Sequence, residues 1–338
     1  MTSQRSASAT RRIRRDGRPA RELDSVLRAD MDARHGALEI AAHYWAAVYR
    51  ERRGVANPRA TEPVHRMRVA NRRLRMAIRH YGDLLPDDFL EAVDPELKRL
   101  NRLLAPVRDT DVQIEMLRSI RRGRHPKRYV AFIEAMEAHV KEINREARDE
   151  LTAAIETGFL DAIDRRMRDT LREVRRSEAT VGVDVVGYAR PVMAEAAWRM
   201  LSLGARRVRK RYKRARKDGS PESLHRLRRE VRRLRYGLEA VRPLGGRRLD
   251  KPIGRLIDFQ DVLGDHQDHQ VGLQQVEDYR RRLQRRGGPT PEEAAGLGRL
   301  SAAFHESSKA FRRQLSATWR RLGPMLKKKA LRDVLPGM

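Results

Sequence analysis

The chain has 338 residues, 75 Lys+Arg against 46 Asp+Glu, a formal net charge of +29 and no cysteine. These values exclude a disulfide framework, thiol chemistry and a Cys-based zinc site, and point to a reducing compartment. No apolar run approaches the roughly 18–20 residues of a membrane span, so a cytoplasmic, strongly cationic protein with no membrane partner is expected.

The cations are 64 Arg and only 11 Lys. Guanidinium groups grip phosphate oxygens bidentately, whereas an ammonium acts more as a point charge. Self-repulsion at this net charge destabilises a compact state unless a polyanion screens it. Aromatic residues make up 5% of the chain. That is sparse for a reader of single-stranded bases but sufficient for a partner made of phosphate alone.

Residues 1–25 read as a basic disordered tail. Seven Arg lie within residues 1–21 with Asp16 as the one acid, and no apolar signal segment follows. The body beyond it reads as all-α. Helical spacing is clear over Ile143–Val174 and Leu300–Leu322, and Pro and Gly punctuate the chain near 57–63, 82–86, 182–191, 218–221, 243–254 and 287–291.

Residues 65–75 (HRMRVANRRLR) and 225–235 (HRLRREVRRLR) are identical at seven of eleven positions. Each follows a hydroxyl residue and a proline, Thr61 with Pro63 and Ser220 with Pro221, a helix-start signature. A second pair of segments, LLAPVRDTDV at 103–112 and VLGDHQDHQV at 262–271, follows in the same order. Asp109 lies 44 residues after His65, and Asp268 lies 43 after His225. Two motifs repeated at matched spacing indicate a duplication, with a junction near 166–190 and repeats over 26–175 and 176–326. Residues 327–338, opening on Lys327, Lys328 and Lys329, read as a basic C-terminal tail at a solvated helix end.

Helical projection gives each repeat two stripes. Met67, Asn71, Leu74, Ile78 and Tyr81 form a core face, as do Leu227, Val231, Leu234, Leu238 and Val241. Beside them run His65, Arg68, Arg72, Arg75 and Arg79, and in the second copy His225, Arg228, Arg232 and Arg235, with Glu239 ending the row.

The quartet His65–Arg75, Pro106–Val112, Leu224–Tyr236 and Phe259–Asp268 resembles the CHAD domain, the conserved histidine α-helical domain, over about residues 30–325. The resemblance implies two helical bundles related by pseudo-twofold symmetry, with a basic groove between them that binds inorganic polyphosphate. By position, the binding residues would be His65, Arg68, Arg72, Arg75, His225, Arg228, Arg232 and Arg235, and the rows extend to Arg73, Arg79 and Arg233. A protein that captures polyphosphate in this way would target itself or a partner to polyphosphate granules. The chain reads FQDVLGD where many members have a similar LQDxLGD, and Arg229 stands where a hydrophobic residue is common.

No ExExK, His-Asp dipeptide, phosphate-binding Gly-rich loop or Gly-x-Ser-x-Gly elbow occurs. No catalytic residue is assigned and an enzyme is not expected. Sequence-independent nucleic-acid binding is the alternative, and a phosphohydrolase or phosphotransferase using His65, His225 and the Asp cluster is a third. Asp261, Asp265, His266, Asp268 and His269 could present a metal site. The preferred role for Asp109, Asp111, Asp265 and Asp268 is instead to hold Arg side chains, with no metal and no cofactor beyond a divalent cation carried by polyphosphate.

Overall fold

The computed structural model describes residues 20–55, 57, 61–122, 127–180, 191–285, 287–289, 294, 298 and 310–334. Among these the architecture is all-α, with no strand and a single isolated bridge between Asp32 and Val192. No described helix is long and apolar enough to cross a membrane. The chain divides into two compact units, at Arg18–Ala196 and Ala197–Met338.

The first unit contains α1 (Ala20–Val26), α2 (Ala33–Arg50), α3 (Thr61–Tyr81), α4 (Asp87–Arg121), α5 (Lys127–Glu156) and α6 (Phe159–Thr180). Of the expected tail, residues 1–19 lie outside the described residues, while residues 20–25 belong to α1, which with the turn after it buries Leu23 and Leu27. Asp32 caps α2 by accepting from the Arg34 and His35 amides at 2.8 and 3.1 Å. Helix α3 packs between α2 and α4, and α6 closes over both of those helices. Trp45 of α2 donates its indole N–H to Asp164 of α6 at 2.9 Å. Fully buried Leu38, Leu74, Leu97, Leu100 and Leu104 line the interior, each contributing about 1.5–3 kcal/mol by leaving water.

The periodicity over Ile143–Val174 suggests continuous helix, but the structure breaks it between α5 and α6. Gly158 takes φ +76° there, a left-handed conformation that favours glycine and ends a helix cheaply. The chain then folds back so that α6 can reach α2.

The second unit holds α7 (Met193–Asp218, which begins just before the division), α8 (Pro221–Ala240), α9 (Asp250–Gln284) and a helix at 310–322. Residues 300–309 of the expected Leu300–Leu322 helix lie outside the described residues. Ser220 caps α8 as its sequence implies, accepting from the Ser223 amide at 3.2 Å, with Pro221 in the first turn. Ser223 in turn donates its hydroxyl to Asp218, which holds that carboxyl below the usual aspartate range. The Lys327–Lys329 run starts a short helix, Lys328–Arg332, rather than ending one. Its Leu331 is buried.

Candidate functional site

Helices α3 and α8 carry the repeated motif, and their buried faces are the apolar stripes read from the sequence. Met67, Asn71, Leu74, Ile78 and Tyr81 are all buried, as are Leu227, Val231, Leu234, Leu238 and Val241. Asn71, the one polar member, donates to the Leu97 carbonyl at 3.1 Å and ties α3 to α4. Fixing that face inward sets the neighbouring row. His65, Arg68, Arg72, Arg73 and Arg75 are half-buried and Arg79 is exposed. The fourteen steps from His65 to Arg79 span about 21 Å of helix.

Compensation along this row is sparse. Arg68 pairs with Asp109 of α4 at 3.2 Å, a partly exposed contact worth at most about 1 kcal/mol but able to orient the guanidinium. Among the described residues, Arg72, Arg75 and Arg79 have no carboxylate or hydrogen-bond partner. The Nε of Arg75 is buried and unpartnered. His65 and Arg73 make contacts within the fold.

The second row is more neutralised. Arg233 pairs with Glu230 at 2.7 Å and Arg235 with Glu239 at 3.4 Å, so the residue that interrupts the row also offsets its last cation. Arg232 is engaged within the fold. Arg228 has no ion-pair partner among the described residues and reaches α9 beside Gly264, while His225 is exposed.

The acidic residues separate into different roles. Asp109 holds a row arginine, whereas Asp111 holds Arg148 of α5, outside the repeated motifs. Arg148 Nη2 lies 2.9 and 3.1 Å from the two Asp111 oxygens, and both side chains are buried. Asn144 joins them, donating to Thr110 at 2.7 Å and Asp111 at 3.0 Å and accepting from Arg148 Nε at 2.9 Å. Asp265 is exposed and forms no ion pair among the described residues. The side chains of Asp268 and His269 lie outside the described residues. His266 stacks on Phe311 with centroids 3.8 Å apart. No metal-competent group of three or more His, Asp or Glu occurs among the described residues.

Sequence reasoning missed a cleft of about 930 Å³ between α4 and α5, lined by cations that include Arg108, Arg118, Arg121, Lys141 and Arg145. Beside it Glu137 is 3% exposed and receives Lys141 at 2.8 Å, Arg118 at 2.9 Å and Arg121 at 3.5 Å. Hydrogen bonds from Lys141 and Arg118 hold its carboxyl below the usual glutamate range, outweighing burial. A depressed carboxyl stabilises the fold above the unfolded-state pKa, and that stability disappears as pH falls through the folded-state value. Urea midpoints should therefore decline on acidification from about pH 4.3 downward. Glu137→Gln should make that decline shallower, and an unchanged acid limb would show that the cluster contributes nothing.

The sequence profile of the CHAD domain matches residues 39–277. Two solved structures share the fold. A crystal structure of the CHAD domain from the plant Ricinus communis aligns with a TM-score of 0.61 at 20% identity, covering 88% of this chain and 93% of that one. PptA from Streptomyces chartreusis aligns with a TM-score of 0.52 at 17% identity, covering 86% of this chain and all of that one. No curated protein matches the sequence. At such low identity the two structures speak for the helical fold, while the profile spans well over half of the sequence, including both HxxR helices and the Asp109 and Asp268 segments. This chain belongs to the CHAD domain family.

Proposed function

We propose that this protein is a non-catalytic binder of inorganic polyphosphate, with the guanidinium rows of α3 and α8 as its principal contacts. The observation that carries this is the state of Arg72, Arg75 and Arg79, cations on one helix face without a carboxylate among the described residues. A half-buried guanidinium with an unsatisfied N–H is costly, and phosphate oxygens supply the missing charge and acceptors together. The similar plan of the two units supports a duplicated binding element: α3 has 21 residues and α8 has 20, and each is followed, in the second case after a short helical turn at Arg242–Gly245, by a turn of 3-10 helix and a helix of 35 residues. Localisation at polyphosphate granules follows from such binding, and any divalent cation would arrive with the polymer.

Titration of the full chain with polyphosphates of defined length, with duplex DNA as control, tests this directly. Simultaneous phosphate contacts release counterions, so log affinity should fall linearly with log salt. About six contacts would reduce affinity roughly a thousandfold between 50 and 200 mM salt. A flat salt dependence, or tighter binding of duplex DNA at equal phosphate concentration, would overturn the assignment.

A further inference from the structure

The unit Ala197–Met338 contains a second cationic hollow, built from residues outside both repeated motifs. Its volume is about 760 Å³, and its lining includes Tyr212 and Arg216 of α7 with Arg312, Arg313, Trp319 and Arg320 of the helix at 310–322. Tyr212 and Trp319 stack, with centroids 3.8 Å apart and planes inclined by 11°. Phe259 of α9 braces the pair, 6.1 Å from Tyr212 and 5.6 Å from Trp319. Tyr212 is buried, but Trp319 is only half-buried. Ser316 and Ala317, two small residues, line the same hollow and leave room beside the indole.

The four arginines are exposed, and none forms an ion pair among the described residues. The cationic surface continues along α7, where nine of the twelve residues from Arg206 to Lys217 are Arg or Lys. Arg209 and Arg216 lie three before and four after Tyr212, on its helix face, about 10 Å apart along the axis. Among the described residues, the acid paired with this run is Asp218, 3.7 Å from Arg214.

Phosphate alone needs no aromatic platform. A partly exposed indole sharing its hollow with four arginines that have no ion pair among the described residues matches a ligand that carries a flat ring and a phosphate, because bases stack on aromatic or guanidinium planes while Arg grips the phosphate. We propose that this hollow binds a nucleobase joined to phosphate, either as a free nucleotide or as one link of a single strand. The proposal is independent of polyphosphate capture by α3 and α8.

The test titrates the full chain with AMP, a single-stranded dA dodecamer and an abasic dodecamer of equal charge, following tryptophan fluorescence and affinity. Stacking contributes roughly 1–3 kcal/mol per base, so the base-carrying strand should bind at least fivefold tighter than the abasic one and quench Trp319. Trp319→Phe keeps an aromatic ring on Tyr212 and should remove the quenching signal without unfolding the unit. Quenching by AMP alone identifies a free-nucleotide site, and quenching only by the strand identifies a strand site; either supports the proposal. Arg312→Ala with Arg320→Ala, both exposed, should weaken the dA dodecamer about tenfold and polyphosphate less than threefold. No quenching of Trp319 by either AMP or the dA dodecamer, or quenching by the dA dodecamer with equal affinity for the abasic strand, would overturn it. So would equal losses in the double variant for polyphosphate and for whichever base-carrying ligand quenches.

Discussion

Replacing Arg72 and Arg232 together by Ala should weaken polyphosphate binding by on the order of a hundredfold or more, whereas replacing His65 and His225 should cost far less. Each partly desolvated charge-assisted contact contributes roughly 1.5–3 kcal/mol. Arg keeps its charge and planar fork at any physiological pH, while an imidazole offers at most two donors. The compensation pattern adds an asymmetry. Arg72 has no partner among the described residues, but Arg232 is already engaged within the fold. Arg72→Ala alone should therefore account for more of the loss than Arg232→Ala alone. Calorimetric titration of each variant, after circular dichroism shows unchanged helicity, decides the matter. Abolished binding in the histidine pair with near-normal binding in the arginine pair would move the chemistry to the imidazoles and discard the guanidinium mechanism.

Asp111→Ala should lower stability by about 3–5 kcal/mol, because it leaves Arg148 as an uncompensated buried charge. For a unit of this size the melting temperature should fall by on the order of 10 °C. Removing both partners with Asp111→Leu and Arg148→Met should recover most of that loss, since the stranded charge goes with its partner. A single variant within 1 kcal/mol of the parent chain would show that water reaches Arg148 and the network is not a dry one. The result separates a structural aspartate from a binding one, because Asp109, two residues earlier, points its carboxylate at Arg68.

Helix class, the two buried stripes and the Ser220 cap were legible because each depends on local spacing: an apolar face repeats every three or four residues, and a cap lies within one turn. The pairing of Asp111 was not legible in the same way. Four carboxylates near two arginine rows invite one common role, yet Asp111 faces α5, and which helix a residue faces is a tertiary fact. A signal for it was present. Asn144 and Arg148 occupy core positions between Val140 and Leu151 at helical spacing, and polar residues on such a face demand a buried polar partner. Gly158 was hidden for a related reason, since one glycine barely disturbs a periodic pattern while its positive φ redirects the whole chain. The cleft beside Glu137 draws cations from two helices nineteen or more residues apart in sequence, and no single window shows it.

The uncompensated guanidinium groups of α3 also make the fold a sensor of its surroundings. Cations held side by side on one helix raise the energy of the native state, and any anion that binds only the folded chain repays that cost through mass action. A ligand at a hundred times its dissociation constant adds about 2.7 kcal/mol. That gain falls mainly on the unit containing α3, because Glu230 and Glu239 already quiet part of the α8 row. If polyphosphate is that anion, the two units should depend on it unequally: the melting of one should follow how much polymer is present, and that of the other much less so.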